Sequence, residues 1–117
     1  MRRQPNHLPR CYAWSETQAA TKEAIEVPFR AMQVSLESME VAQAMADFGN
    51  PASASDAGVA ALAARSAVIG AYLNVKINSP DVEDKPWIED ILARAAEIQE
   101  KAIATEREIL DIVSGRL

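Results

Sequence analysis

The chain has 117 residues, 49% hydrophobic and 25% charged, with a net charge of −5 at neutral pH, as expected for one small soluble domain. Acidity without a basic patch excludes nucleic-acid binding. Cys11 is the only cysteine, which excludes an intrachain disulfide framework or a cysteine metal site and favours a reducing cytoplasm.

Residues 1–14 carry Pro5, Pro9 and three arginines without periodicity, and read as an irregular arm ahead of one helical domain over residues 15–117. The arm is basic, but no apolar run follows it, so it is not a secretory signal. His7 and Cys11 lie on it without partners at ligand spacing, and read as incidental residues.

A first helix is predicted from about Ser15, as its cap, to Phe48. Ile25, Phe29, Met32, Leu36, Met39 and Ala46 form one stripe at helical spacing. Val27, Val34, Val41, Met45 and Phe48 form a second, read as adjacent and implying contact with two neighbours. The period stays in phase across Pro28, which favours a kink over a loop. Gly49 is expected to end this helix in the left-handed conformation, with Pro51 preventing its continuation.

Ser53, Ser55 or Asp56 can cap a second helix, running from about Ser55 to Lys76. It is rich in alanine and glycine and apolar on nearly every side, as befits the middle of a bundle. With Arg65 and Ser66 inside it, the apolar run reads as too short for a membrane span. Ser66, Gly70, Asn74 and Asn78 form a thin polar seam, and a buried Asn74 would need a partner or ligand. After the acidic loop Ser79–Asp84, Asp84 is the expected cap of a third helix from about Lys85 to Val113, with Pro86 in its first turn and Gly115 as its stop. No strand signal, internal repeat or low-complexity tract occurs. The predicted fold is all-α: an antiparallel bundle of long helices around a buried Ala/Gly-rich central helix.

A Gly-rich phosphate loop, a zinc-ligand set and a Ser-His-Asp arrangement are all absent from the sequence, so catalysis would use carboxylates, amides, hydroxyls, lysine or backbone groups. Candidates gather as Asn50, Ser53, Ser55 and Asp56 before and at the start of the second helix, and as Asn74, Lys76, Asn78, Asp81 and Asp84 at its far end. Positions 56 and 74 share a helix face but stand about 27 Å apart along the axis. One small ligand can meet both clusters only if an antiparallel helix of another subunit brings them together.

Gly49-Asn50, Ser55-Asp56-Ala57-Gly58-Val59-Ala60-Ala61-Leu62 and Leu73-Asn74-Val75-Lys76-Ile77-Asn78, with the Val27-Pro28 step, resemble the cyclodeaminase/cyclohydrolase family over roughly residues 20–113. This is the family of the C-terminal domain of formiminotransferase-cyclodeaminase and of methenyltetrahydrofolate cyclohydrolases. The resemblance implies an all-helical homodimer acting on a tetrahydrofolate derivative, with no metal and no cofactor beyond that substrate. Cyclodeaminases close 5-formiminotetrahydrofolate to the 5,10-methenyl form with loss of ammonia; cyclohydrolases open the methenyl bridge with water. Against that background Asp56 and Asp84 are the candidate general acids, if burial raises a pKa. Asn50, Ser55, Asn74 and Asn78 are candidates to hold the pterin edge, and Lys76 or Arg65 to attract the glutamate tail. The family's preceding Gly-Gly-Gly-Ser-like segment has no counterpart here, so the chain reads as the C-terminal part of that domain. The competing reading is a non-enzymatic helical dimerisation module.

Overall fold

A computed structural model describes residues 10–117, with side chains from Glu16 onward. His7, and the side chains of Cys11 and Ser15, lie outside what it describes. Three long helices run in sequence, α1 (Arg10–Phe48), α2 (Ala54–Asn78) and α3 (Lys85–Arg116). Two single 3₁₀ turns, Pro51–Ser53 and Ser79–Asp81, join them. No strand occurs among the described residues. The fold is the expected all-α antiparallel bundle. The Ala/Gly-rich α2 runs against both α1 and α3, which run parallel to each other.

Each helix buries one stripe. From α1 it is Ile25, Phe29, Met32, Met39, Ala42 and Ala46; from α2, Ala54, Ala57, Gly58, Ala61, Ala64, Val68 and Val75; from α3, Ile88, Ile91, Ala95, Ala102, Ile109 and Val113. Small side chains along the inner line of α2 let the larger residues of its neighbours reach across it. The outcome is a rod of 66 × 25 × 18 Å with a radius of gyration of 19.3 Å, against roughly 13 Å for a compact domain of this size. A rod this thin has one core line and much surface.

Several local expectations are corrected. Helix α1 begins at Arg10, not Ser15, since nothing from Cys11 to Trp14 breaks a helix. As the in-phase period implied, it runs on through Pro28 without a loop, and the missing N–H of that residue leaves the Ala24 carbonyl without its usual helical donor. The second α1 stripe does not touch a second neighbour. Val27, Val34, Val41, Met45 and Phe48 are exposed, Phe48 at 89%. At 3.6 residues per turn Val27 lies about 180° from the core line rather than beside it.

Gly49 is not left-handed; no described residue has a positive φ. Its N–H donates to the Met45 carbonyl at 2.8 Å, and a Cβ there would run into that same oxygen. Helix α3 passes through Gly115 to Arg116. Arg116 donates to the Gly49 carbonyl at 3.2 Å and the Asp47 carbonyl at 2.5 Å, which ties the last turn of α3 to the end of α1. Helix α2 buries only its inner line: Val59, Leu62, Leu73 and Ile77 face outward and are exposed. The stretch Pro51–Asp81 is, by length and composition, long and apolar enough to cross a membrane, contrary to the sequence expectation. Arg65 sits in its middle, ion-paired to Glu106 of α3.

Glu106, overlooked in the sequence, is 7% exposed and accepts from Arg65 Nη1 at 3.2 and 3.4 Å. Truncating Arg65 would leave a carboxylate facing the core without its cation. Urea denaturation should show Arg65→Met destabilised by about 1–3 kcal/mol, discounted from a fully buried pair because Arg65 is partly in water, and Arg65→Met/Glu106→Gln recovering much of that loss. The same measurement should separate two glycines. Gly49→Ala should cost about 1–3 kcal/mol through its clash. Gly58→Ala should be neutral or stabilising by up to about 1 kcal/mol, because its Cβ would meet Val113 and Leu110 methyls no closer than 3.5 Å.

Candidate functional site

The two polar clusters sit at opposite ends of the rod. At one end Asn50 is the cap of the Pro51–Ser53 turn, its side-chain oxygen accepting from the Ala52 N–H at 2.7 Å. Ser53 occupies the cap position of α2 but makes no side-chain capping bond. Ser55 and Asp56 are exposed on the first turn of α2, where the helix dipole favours the carboxylate.

At the other end the seam is open to solvent. Asn74 is exposed rather than buried, because it points away from the core line that Val75 continues. It therefore does not carry the cost of an unpaired buried amide. Its backbone carbonyl accepts from Asn78 Nδ2 at 2.9 Å. Lys76 lies over the Tyr72 ring, 4.5 Å from its centroid, which holds the ammonium near the surface while leaving it hydrated. Asn78 and Asp81 line an open cleft of about 400 Å³ together with Glu16, Thr17, Ala20, Thr21 and Ala24 of α1. Among the candidates, then, Asn78 and Asp81 meet at one cleft; Asn50, Ser55 and Asp56 stay at the far end.

Asp84 is the cap of α3, its carboxylate accepting from the Trp87 N–H at 3.3 Å. The same group accepts from Lys22 Nζ at 2.9 Å. The Lys22 hydrogen bond, then the Trp87 amide, hold the Asp84 carboxyl below its ordinary value, against a smaller opposing effect of burial. A general acid needs a raised pKa, so this carboxyl is set for structure rather than proton delivery. Two α1 residues missed in the sequence organise this end. Gln18 donates to the Asp81 carbonyl at 3.1 Å and accepts from the Glu83 N–H at 3.0 Å. Lys22 also stands 5.1 Å from the centre of the Trp87 ring. Their spacing of four on α1 was the available signal; what they face became visible only once the loop had folded onto them.

A depressed carboxyl pKa adds stability that is fully present above the unfolded value, 3.8 for Asp84, and is lost as pH falls through the lowered folded value. Asp84→Ala should therefore be less stable than wild type at neutral pH. Chemical denaturation across pH 2–7 should show the two curves converging on the acid side.

The family model described as formiminotransferase-cyclodeaminase matches residues 12–97. The chain is 34% identical over 97 residues to the formimidoyltransferase-cyclodeaminase of Dictyostelium discoideum, covering 83% of this chain and 18% of that protein. It is 31% identical over 103 residues to the methenyltetrahydrofolate cyclohydrolase of Methylorubrum extorquens, covering 88% of this chain and 50% of that protein. It is 31% identical over 99 residues to the formimidoyltransferase-cyclodeaminase of Sus scrofa, covering 85% and 18% respectively. The chain thus spans half the length of the cyclohydrolase and a smaller share of the two longer proteins. The residues that carried the sequence resemblance up to position 97 fall within the matched region, and the chain belongs to the formiminotransferase-cyclodeaminase family.

Proposed function

We propose that the chain serves tetrahydrofolate one-carbon metabolism, as a formiminotetrahydrofolate cyclodeaminase or a methenyltetrahydrofolate cyclohydrolase. The observation that carries this reading is the pair of polar clusters at the two ends of an otherwise apolar α2 in a chain of this family. Ring closure needs the folate nitrogen held against the formimino carbon, and positioning alone can supply several kcal/mol. The amides and hydroxyl of Asn50, Ser55, Asn74 and Asn78 suit the donor and acceptor edge of a pterin. Lys76, exposed at its helix end, suits an anionic glutamate tail. Asp56 is the stronger candidate for the acid that protonates departing ammonia, since Lys22 and the Trp87 amide hold Asp84 as the anion. Asp84 then acts by fixing the α2–α3 loop beside Asn78. Only the tetrahydrofolate is required, with no metal, in a cytoplasmic setting.

A second reading, a non-enzymatic helical dimerisation module, is favoured by the apolar outer stripes of α1 and α2, which one chain leaves uncovered. Isothermal titration with 5-formyltetrahydrofolate, together with an ammonia-release assay on formiminotetrahydrofolate and a methenyl-hydrolysis assay, separates the two. Binding with either turnover supports the enzyme; a folded protein with no heat and no turnover is the module. In an active protein, Asp56→Asn should lower kcat by about 10²–10⁴-fold, whereas Asn74→Ala should chiefly raise KM. Unchanged kinetics in both would remove these residues from the site.

A further inference from the structure

Helix α1 carries one repeat twice. Ile25, Met32, Met39 and Ala46 recur every seven residues and are buried where α1 meets α2 and α3. Two positions later, Val27, Val34, Val41 and Phe48 also recur every seven residues, and these are exposed. Ala31, Ser38 and Met45, exposed too, fall between them, so the outer line advances in steps of four and three. That is the spacing of a helix packed lengthwise on another helix. The inner seam has its helices. Nothing among the described residues covers the outer one, which is about 32 Å from end to end.

The two flanks of the outer seam differ. One closes onto the bundle, where Ser35 is half-buried and Ala42 buried. The other is open to water and acidic. Glu23, Glu26, Glu37, Glu40 and Asp47 are exposed along it, with Arg30 as its one cation. None of these five carboxylates has an ion pair among the described residues.

We propose that the outer seam of α1 seats an amphipathic helix of a different polypeptide, with apolar residues at the same spacing and lysine or arginine beside them. A helix laid along an apolar line is held by anchors three and four residues apart, and the flanking charge decides which helix is accepted. A seam of this length takes about six turns of the incoming helix. Ala31 and Ser38, small residues between the valines, let its backbone come close. A basic flank meets carboxylates that have no cation of their own. A second copy of the seam brings the same acidic flank, like charge against like. The carboxylates also repel an anionic lipid surface, and a flat surface does not call for a seven-residue repeat. The seam lies apart from both polar clusters, so the proposal does not rest on the folate reading.

Two synthetic peptides of about 25 residues test it, each with leucine at the four-three positions, one with lysine and one with glutamate beside them. Titration calorimetry against the full chain should show one lysine peptide bound per chain, more weakly as salt is raised, and the glutamate peptide at least about tenfold weaker. Val34→Lys should raise the dissociation constant of the lysine peptide about tenfold or more. Glu37→Lys/Glu40→Lys should reverse the preference between the peptides. Leu73→Lys, on the outer side of α2, should change neither. All four side chains face water, so circular dichroism should show unaltered helicity in every variant. A wild type that takes neither peptide, or both equally, overturns the proposal. So does binding that survives Val34→Lys, or self-association of the free chain that Val34→Lys abolishes.

Discussion

Three helices from one chain can surround one core line, and α2 is apolar around most of its circumference. That mismatch governs the structure. The side facing α1 and α3 is built from alanine, glycine and valine, so the neighbours close over it tightly. The outer side keeps Val59, Leu62, Leu73 and Ile77 in contact with water. Helix α1 repeats the pattern with Val27, Val34, Val41 and Phe48. Monomeric proteins rarely leave such lines uncovered.

The helices and their inner stripes were legible because period 3.6 survives in Ile25, Phe29, Met32 and Met39, and in Ile88, Ile91, Ala95 and Ile109. The second stripe of α1 was legible as a stripe but not as an outward one. Periodicity marks residues that share a face; it does not say that a neighbour is there. Helix ends were read less well. The Gly49 turn follows from steric closeness to the Met45 carbonyl rather than from a left-handed backbone. Gly115 fails to stop α3 because Arg116 finds two carbonyls across the bundle. The second depends on contacts between residues more than sixty positions apart, which no local window contains.

The polar residues show the same division. That Asp84 caps α3 could be read from the Asp-Lys-Pro sequence alone. Its depressed pKa could not, because the main cause is Lys22, on another helix. Asn74 looked like a buried amide in want of a partner only on the premise that α2 is buried all round; with its outer side in water, the amide is simply free to be used. Glu106 passed unnoticed among many carboxylates of an acidic helix, and its place against Arg65 is a product of tertiary packing.

Pro28 has an effect beyond helix geometry. It withholds an N–H from the Ala24 carbonyl, and Ala24 lines the cleft between Glu16 and Asp81. The residue that loses its usual helical donor is thus also one that lines the cleft. Replacing side chains around the cleft one at a time would leave that carbonyl without its i+4 donor. A non-proline residue at position 28 would restore it.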